Sequence, residues 1–193
     1  MDNDLKNLVF IYFPKNLGDQ SYVDSAVEES QEFQSLQRLI SGSDHFKERS
    51  ILSQIGKEAG QKKLSFLLCD RQSLVYKRSL GARFRLFVKI KNEQKIYTDL
   101  ILALSLLAPV YFFEVIETKT QHGVILEESV LHEFVIPTEY DFVPELLKAE
   151  GYSLIPKFVL EKPIPEISFF EIERGKFDYF NAFFGNTIGD LMY

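Results

Sequence analysis

The sequence predicts an α+β fold: a mainly antiparallel sheet with two N-terminal helices and a proline-rich, aromatic C-terminal third packed on it. Three observations carry that prediction. Apolar residues recur at helical spacing between residues 23 and 59; from Leu64 onward they fall into short β-type runs; and five of the seven prolines stand at 137, 144, 156, 163 and 165. With 193 residues, 46% of them hydrophobic and 18 of them Phe, the chain is expected to form one globular domain over 1–193. A domain of that length buries roughly 70% of its unfolded surface.

The first apolar run, "LVFIYF" at 8–13, reads as a buried strand closed by Pro14 and the turn-prone "KNLGD". A helix is expected next, with Ser21 as N-cap and Asp24 three residues on. Val23, Ala26, Val27, Phe33, Leu36 and Ile40 form its inner face until Ser41-Gly42 stops it. A second helix begins after Ser43 or Asp44, turns Ile51, Leu52, Ile55 and Ala59 inward, and ends at Gly60. The β runs follow: "LSFLLCD" from Leu64, residues 83–91, "VYFFEVIE" at 110–117 and "VLHEFVI" at 130–136. "LILALSLLA" at 100–108 has helix-forming composition, but its place between two strands favours a strand buried on both faces. Late in the chain, Asp141 as N-cap, Pro144 in the first turn and Gly151 past the end mark a short helix. The tail "FFEIERGKFDYFNAFFG" is either a hairpin turning at Arg174-Gly175 or a strand followed by a short aromatic helix.

Charge is distributed in blocks. Residues 1–60 carry −4, residues 61–95 carry +8 and residues 96–193 carry −10, within a net charge of −6. The basic block contains "ARFRLFVKIK" at 82–91, whose simple alternation places Arg83, Arg85, Phe87, Lys89 and Lys91 on one face of a strand. Cations around an aromatic on a sheet face are how RNA-recognition sheets hold phosphates and stack a base. Against the RNP1 pattern, however, Phe84, Arg85, Leu86 and Ile90 occupy positions that call for other residue types. The plainer expectation is a solvated strand face neutralised across the sheet by Glu114, Glu117, Glu127 or Glu128. A second candidate surface is acidic: Asp24, Glu28 and Glu32 at i, i+4 and i+8 on the first helix, suited to a basic partner or explained by the helix dipole.

Catalytic signatures are missing from the sequence. "HEFVI" at 132–136 lacks the second His of a zinc-protease helix, and "GKEAGQKK" at 56–63 lacks phosphate-loop spacing. No Ser stands in a G-x-S-x-G turn. Cys69, the one cysteine, sits in an apolar run and reads as a buried thiol, although a Cys/His/carboxylate site with His122 or His132 is an open alternative. The dense aromatics from Phe169 to Phe184 read first as core.

These features imply no cofactor, no metal site and no membrane span, and a lone cysteine without a leader-like start fits the cytoplasm. The favoured function is a non-catalytic protein-binding module, an inhibitor or immunity-type protein being its concrete form. A nucleic-acid or polyanion binder using residues 83–91 comes second, and an enzyme with a dispersed site third. Nothing in the sequence fixes the oligomeric state.

Overall fold

A computed structural model of the chain describes residues 2–16, 23–42, 45–69, 78–167, 169, 172 and 175–185. Helices α1 (Asp2–Tyr12), α2 (Val23–Glu29), α3 (Gln31–Ser41) and α4 (Phe46–Gln61) precede strands β1 (Leu67–Cys69), β2 (Ser79–Lys91), β3 (Gln94–Ser105), β4 (Val110–Gln121) and β5 (Val124–Val130). A 3-10 turn (Thr138–Tyr140), α5 (Phe142–Ala149), β6 (Ser153–Leu154), α6 (Lys157–Leu160) and α7 (Tyr179–Phe183) complete the order. The sheet runs β1-β2-β3-β4-β5 with every neighbour antiparallel, and β6 adds one short parallel pairing to β4. This is the expected α+β architecture. Among the described residues no helix is long and apolar enough to cross a membrane.

Helices cover both faces of the sheet. On face A, Ile101, Ala103, Phe112 and Ile116 pack with Val9, Phe13, Phe33 and Leu36 of the N-terminal helices and with Phe169, Phe177 and Phe183 of the tail. On face B, Ala82, Phe84, Leu100, Leu102 and Val115 pack with Ile51, Leu52, Ile55 and Ala59 of α4 and Val143 and Leu147 of α5. Burial on both sides explains why 98–105 is buried without interruption and is a strand despite its Leu and Ala content. α4 and its inner face match the sequence expectation, with His45 at the N-cap position; Ser43 and Asp44, after which the helix is expected to begin, lie outside the described residues. α5 also begins after Asp141, with Gly151 at φ +83° past its end, the left-handed position that glycine fills without strain.

Three expectations are corrected. Residues 8–12 belong to helix α1, not to a strand, and Phe13 follows directly on it: Leu5, Val9 and Phe13 stand at helical spacing, and winding the run buries Val9 and Phe13 completely, Phe13 against the rings of Phe169 and Phe177. The single helix expected up to Ser41 is two, because the Ser30 hydroxyl accepts a bond from the Phe33 N–H at 3.1 Å and starts α3 afresh. Its expected cap, Ser21, is outside the described residues. Finally, 130–136 is not a further strand. β5 ends at Val130, and the chain lays Leu131, Phe134 and Ile136 against face B, with Phe134 centred 6.0 Å from Phe87.

The tail takes the second of its two expected forms at least in part, since α7 is the short aromatic helix, capped by Asp178 in a reciprocal box with Asn181. Before it only isolated bridges occur among the described residues, and Arg174 of the expected turn lies outside them. α7 is tied to the start of β2. Arg78, fully buried, donates from Nε to the Asn181 carbonyl at 2.7 Å and lies over the rings of Phe13 and Phe169, while Ser79 Oγ donates to the Phe184 carbonyl at 2.9 Å.

Candidate functional site

The helical layers cover only one half of the sheet. β2 is buried from Ser79 to Ala82 and exposed from Phe87 to Lys91, and β3 mirrors it. What emerges is an apex of four strands ended by two hairpin turns. Asn92-Glu93 (φ 50° and 65°) joins β2 to β3, and His122-Gly123 (φ 50° and 83°) joins β4 to β5. Two-residue loops with both φ values positive follow the right-handed twist of the strands they connect, and Gly123 suits that conformation better than Glu93 does. Since Gln94 pairs with Gln121, both turns reach the same level.

A bulge decides what each apex face presents. Lys91 pairs with Gln94, Lys89 with Ile96 and Phe87 with Thr98, but Arg85 pairs with Asp99, so Leu86 is an extra residue in β2. Cross-strand partners share a face, and one added residue reverses the alternation. Arg83 and Arg85 therefore lie on face A with Asp99, whereas Phe87, Lys89 and Lys91 lie on face B with Thr98, Ile96 and Gln94. The expected single face of Arg83, Arg85, Phe87, Lys89 and Lys91 does not exist.

Nor do the expected acids neutralise it. Asp99, 2% exposed, receives Arg85 Nε at 2.8 Å and Nη2 at 3.0 Å, with Arg83 Nε at 3.9 Å. The Asp99 hydrogen bonds, the largest influence, raise the Arg85 pKa, and its guanidinium stacks 4.0 Å from the Tyr97 ring centre. Glu114 instead pairs with Lys157 at 3.1 Å, and Glu117 and Glu127 flank Lys119 at 3.9 and 2.7 Å. β3 and not β4 adjoins β2, which is why Asp99 is the partner. The sequence signal was present: a lone carboxylate entering the apolar run 100–104 calls for a cation within reach.

Beyond this ion pair the apex is apolar and mixed in charge. Face A carries Val88, Ile90, Tyr97 and Ile125, and face B carries Phe87, Ile96 and Val124. Ile90 is 73% exposed, Val124 62% and Val88 51%. Shallow cavities of about 380 and 400 Å³ lie on the two faces, the first beside Lys95, Tyr97 and His122, the second beside Lys91, Ile96 and Leu126.

The acidic trio does not stand on one helix. Glu28 is in the last turn of α2 and Glu32 in the first turn of α3, across the Ser30 break, where a negative side chain favours the helix N-terminus. Asp24 lies in α2 with its side chain outside the described part of the structure. Among the described residues no cluster of three or more His, Cys, Asp or Glu is arranged to hold a metal ion.

The Cys/His set is dispersed. Cys69 pairs with Gly81 at the covered end of the sheet, while His122 is in an apex turn, ten residues or about 33 Å along the strands. His132 Nδ1 sits 3.3 Å from Lys157 Nζ, beside the Glu114 pair. A cavity of about 130 Å³ near there is lined by Phe112, Glu114, Lys157 and Asp178. No protein-family model matches the chain, and searches of curated proteins and of solved structures find no match either.

Proposed function

We propose that the chain is a non-catalytic protein-binding module that engages its partner through the uncovered apex of the sheet. One observation carries this: the hairpin-closed apex holds Val88 and Ile90 in water on β2, whose other half is core, and Val124, Ile125 and Leu126 in water on β5 of the same sheet. Exposed aliphatic side chains gathered at one end of a sheet are what protein interfaces use, with the charges interspersed among them supplying polar contacts. An inhibitor or immunity-type protein, whose apex occludes an effector's working surface, is the concrete form of this function.

Polyanion binding is less well supported by the same residues. At the apex Lys89, Lys91, Lys95 and Lys119 are balanced by Glu93, Glu117, Glu127 and Glu128, and Arg83 and Arg85 are engaged with Asp99. Binding driven by counterion release needs a net excess of cations facing the phosphates.

The test is affinity capture from the native host at low salt, half of it nuclease-treated, with the tagged chain and its Ile90→Glu variant. A nuclease-resistant, stoichiometric protein held by the parent chain and lost from the variant is expected. Nucleic acid released by salt, or no stable protein partner, would overturn the proposal.

A further inference from the structure

We propose that β5 is a strand-addition edge for an extended, cation-bearing segment of the protein partner. The proposal rests on the binding-module function above and adds the mode of contact. β5 ends the sheet: among the described residues it pairs with β4 on one side and with no strand on the other. An edge strand carries a row of outward N–H and C=O groups ready for a further strand, and natural edges are commonly blunted with Lys or Pro. β5, "VILEESV", has neither; its guards are the carboxylates Glu127 and Glu128 and a bulge at Leu126, which leave Val124 and Ile125 unguarded. It opens with three consecutive aliphatic residues, Val124, Ile125 and Leu126, all exposed.

Its register favours recognition from both faces. Lys119 pairs with Glu127 and Thr120 with Ile125, so Leu126 is the extra residue of a second bulge. Val124 and Glu127 therefore face B, and Ile125 and Glu128 face A. An added strand would meet an aliphatic residue and then a carboxylate on each face. Glu127 has Lys119 at 2.7 Å, whereas Glu128 stands opposite Thr118 with no cation in ion-pair reach among the described residues.

Charge selects the occupant. A second copy of the chain, paired antiparallel over the full strand, would set Glu127 against its own copy, and like charges directly opposite destabilise a ladder. A partner segment with Lys or Arg opposite Glu127 and Glu128, and aliphatic or aromatic residues opposite Val124 to Leu126, satisfies both halves of the edge. The backbone bonds supply affinity and the alternate side chains supply selectivity. The same acids that deter self-pairing thus admit a basic strand.

The probe is a library of random twelve-residue peptides displayed on phage and selected on the immobilised full chain. Enriched peptides are expected to set a pair of neighbouring Lys or Arg beside a short apolar run, to slow amide exchange within 124–130, and to bind the Glu127→Lys/Glu128→Lys variant at least fivefold more weakly. Glu128→Arg alone, which breaks no ion pair seen here, should weaken binding in the same direction and guards against misfolding of the double variant. Absence of enrichment, acidic winners, or winners that leave 124–130 exchanging freely would overturn strand addition. Protection confined to 88–97 would also overturn it while leaving the binding-module function standing, which falls only on the host capture.

Discussion

Arg85 grips Asp99 with two parallel hydrogen bonds of 2.8 and 3.0 Å, one residue before Leu86 bulges out of β2. A bidentate pair around a buried carboxylate is costly to break from one side, because the remaining charge stays buried. Arg85→Met, which strands the buried Asp99 carboxylate, is expected to lower stability by up to about 3 kcal/mol, read as a fall in the urea midpoint. The double change Arg85→Met/Asp99→Leu should recover most of that loss; a double variant as unstable as Arg85→Met would show that the pair contributes more than mutual neutralisation.

The pairing also explains what was legible in the sequence and what was not. Counting back from the Asn92-Glu93 turn without a bulge sets Arg85 opposite Leu100 and Asp99 opposite Leu86. Only the extra residue brings the two charges together, and it also keeps Phe84 opposite Leu100 on face B, a match between strands that no local pattern reveals. Local signals served well where one face of one element decides, as in α4 and α5. They failed at "LVFIYF", where an unbroken apolar run carries no period; including Leu5 with Val9 and Phe13 reveals the helical spacing.

The two glycines of α4 make opposite predictions. An added Cβ at Gly56 would come within 2.7 Å of the Phe66 ring, while at Gly60 it would meet nothing within 4 Å. Gly60→Ala should raise stability by about 0.5–1 kcal/mol through helix propensity alone. Gly56→Ala should lower it, because displacing Phe66 disturbs its edge contact with Phe84 and overpacking costs about 1–3 kcal/mol. Thermal unfolding of both variants decides, and equal shifts would contradict the geometry.

At the β2–β3 turn, Glu93 holds φ at 65°, where a side chain costs about 1–2 kcal/mol that glycine avoids. Glu93→Gly creates the Asn-Gly pair favoured in such turns. A gain of up to about 1 kcal/mol in denaturant unfolding is expected, without loss of register. Unchanged or reduced stability would mean that Glu93 makes a compensating contribution.

Two carboxyls give pH dependence of opposite sign. Glu166 is held below its ordinary pKa chiefly by the hydrogen bond from Lys6 at 2.6 Å, so its contribution is present above the unfolded value and lost as pH falls through the lower folded one. Asp178 is pushed above its ordinary pKa chiefly by burial, so its penalty grows as pH rises through that raised folded value. Asp178→Asn keeps an N-cap acceptor and should gain relative to the parent between pH 3 and neutrality. Lys6→Gln should flatten the acid-side loss near pH 4. Stability profiles that move the other way would reverse these assignments.

Arg78 and Ser79 find their partners in Asn181 and Phe184, 103 and 105 residues later. During synthesis at about 5–20 residues per second, β2 is therefore made roughly 5–20 s before the segment that closes over its first residues. Through that interval face A of the nascent sheet has the N-terminal helices but lacks the rings of the tail, and the guanidinium of Arg78 waits without the Asn181 carbonyl. Ribosome-bound chains stopped short of residue 181 should therefore recruit chaperones and proteases far more readily than chains released with α7 already docked.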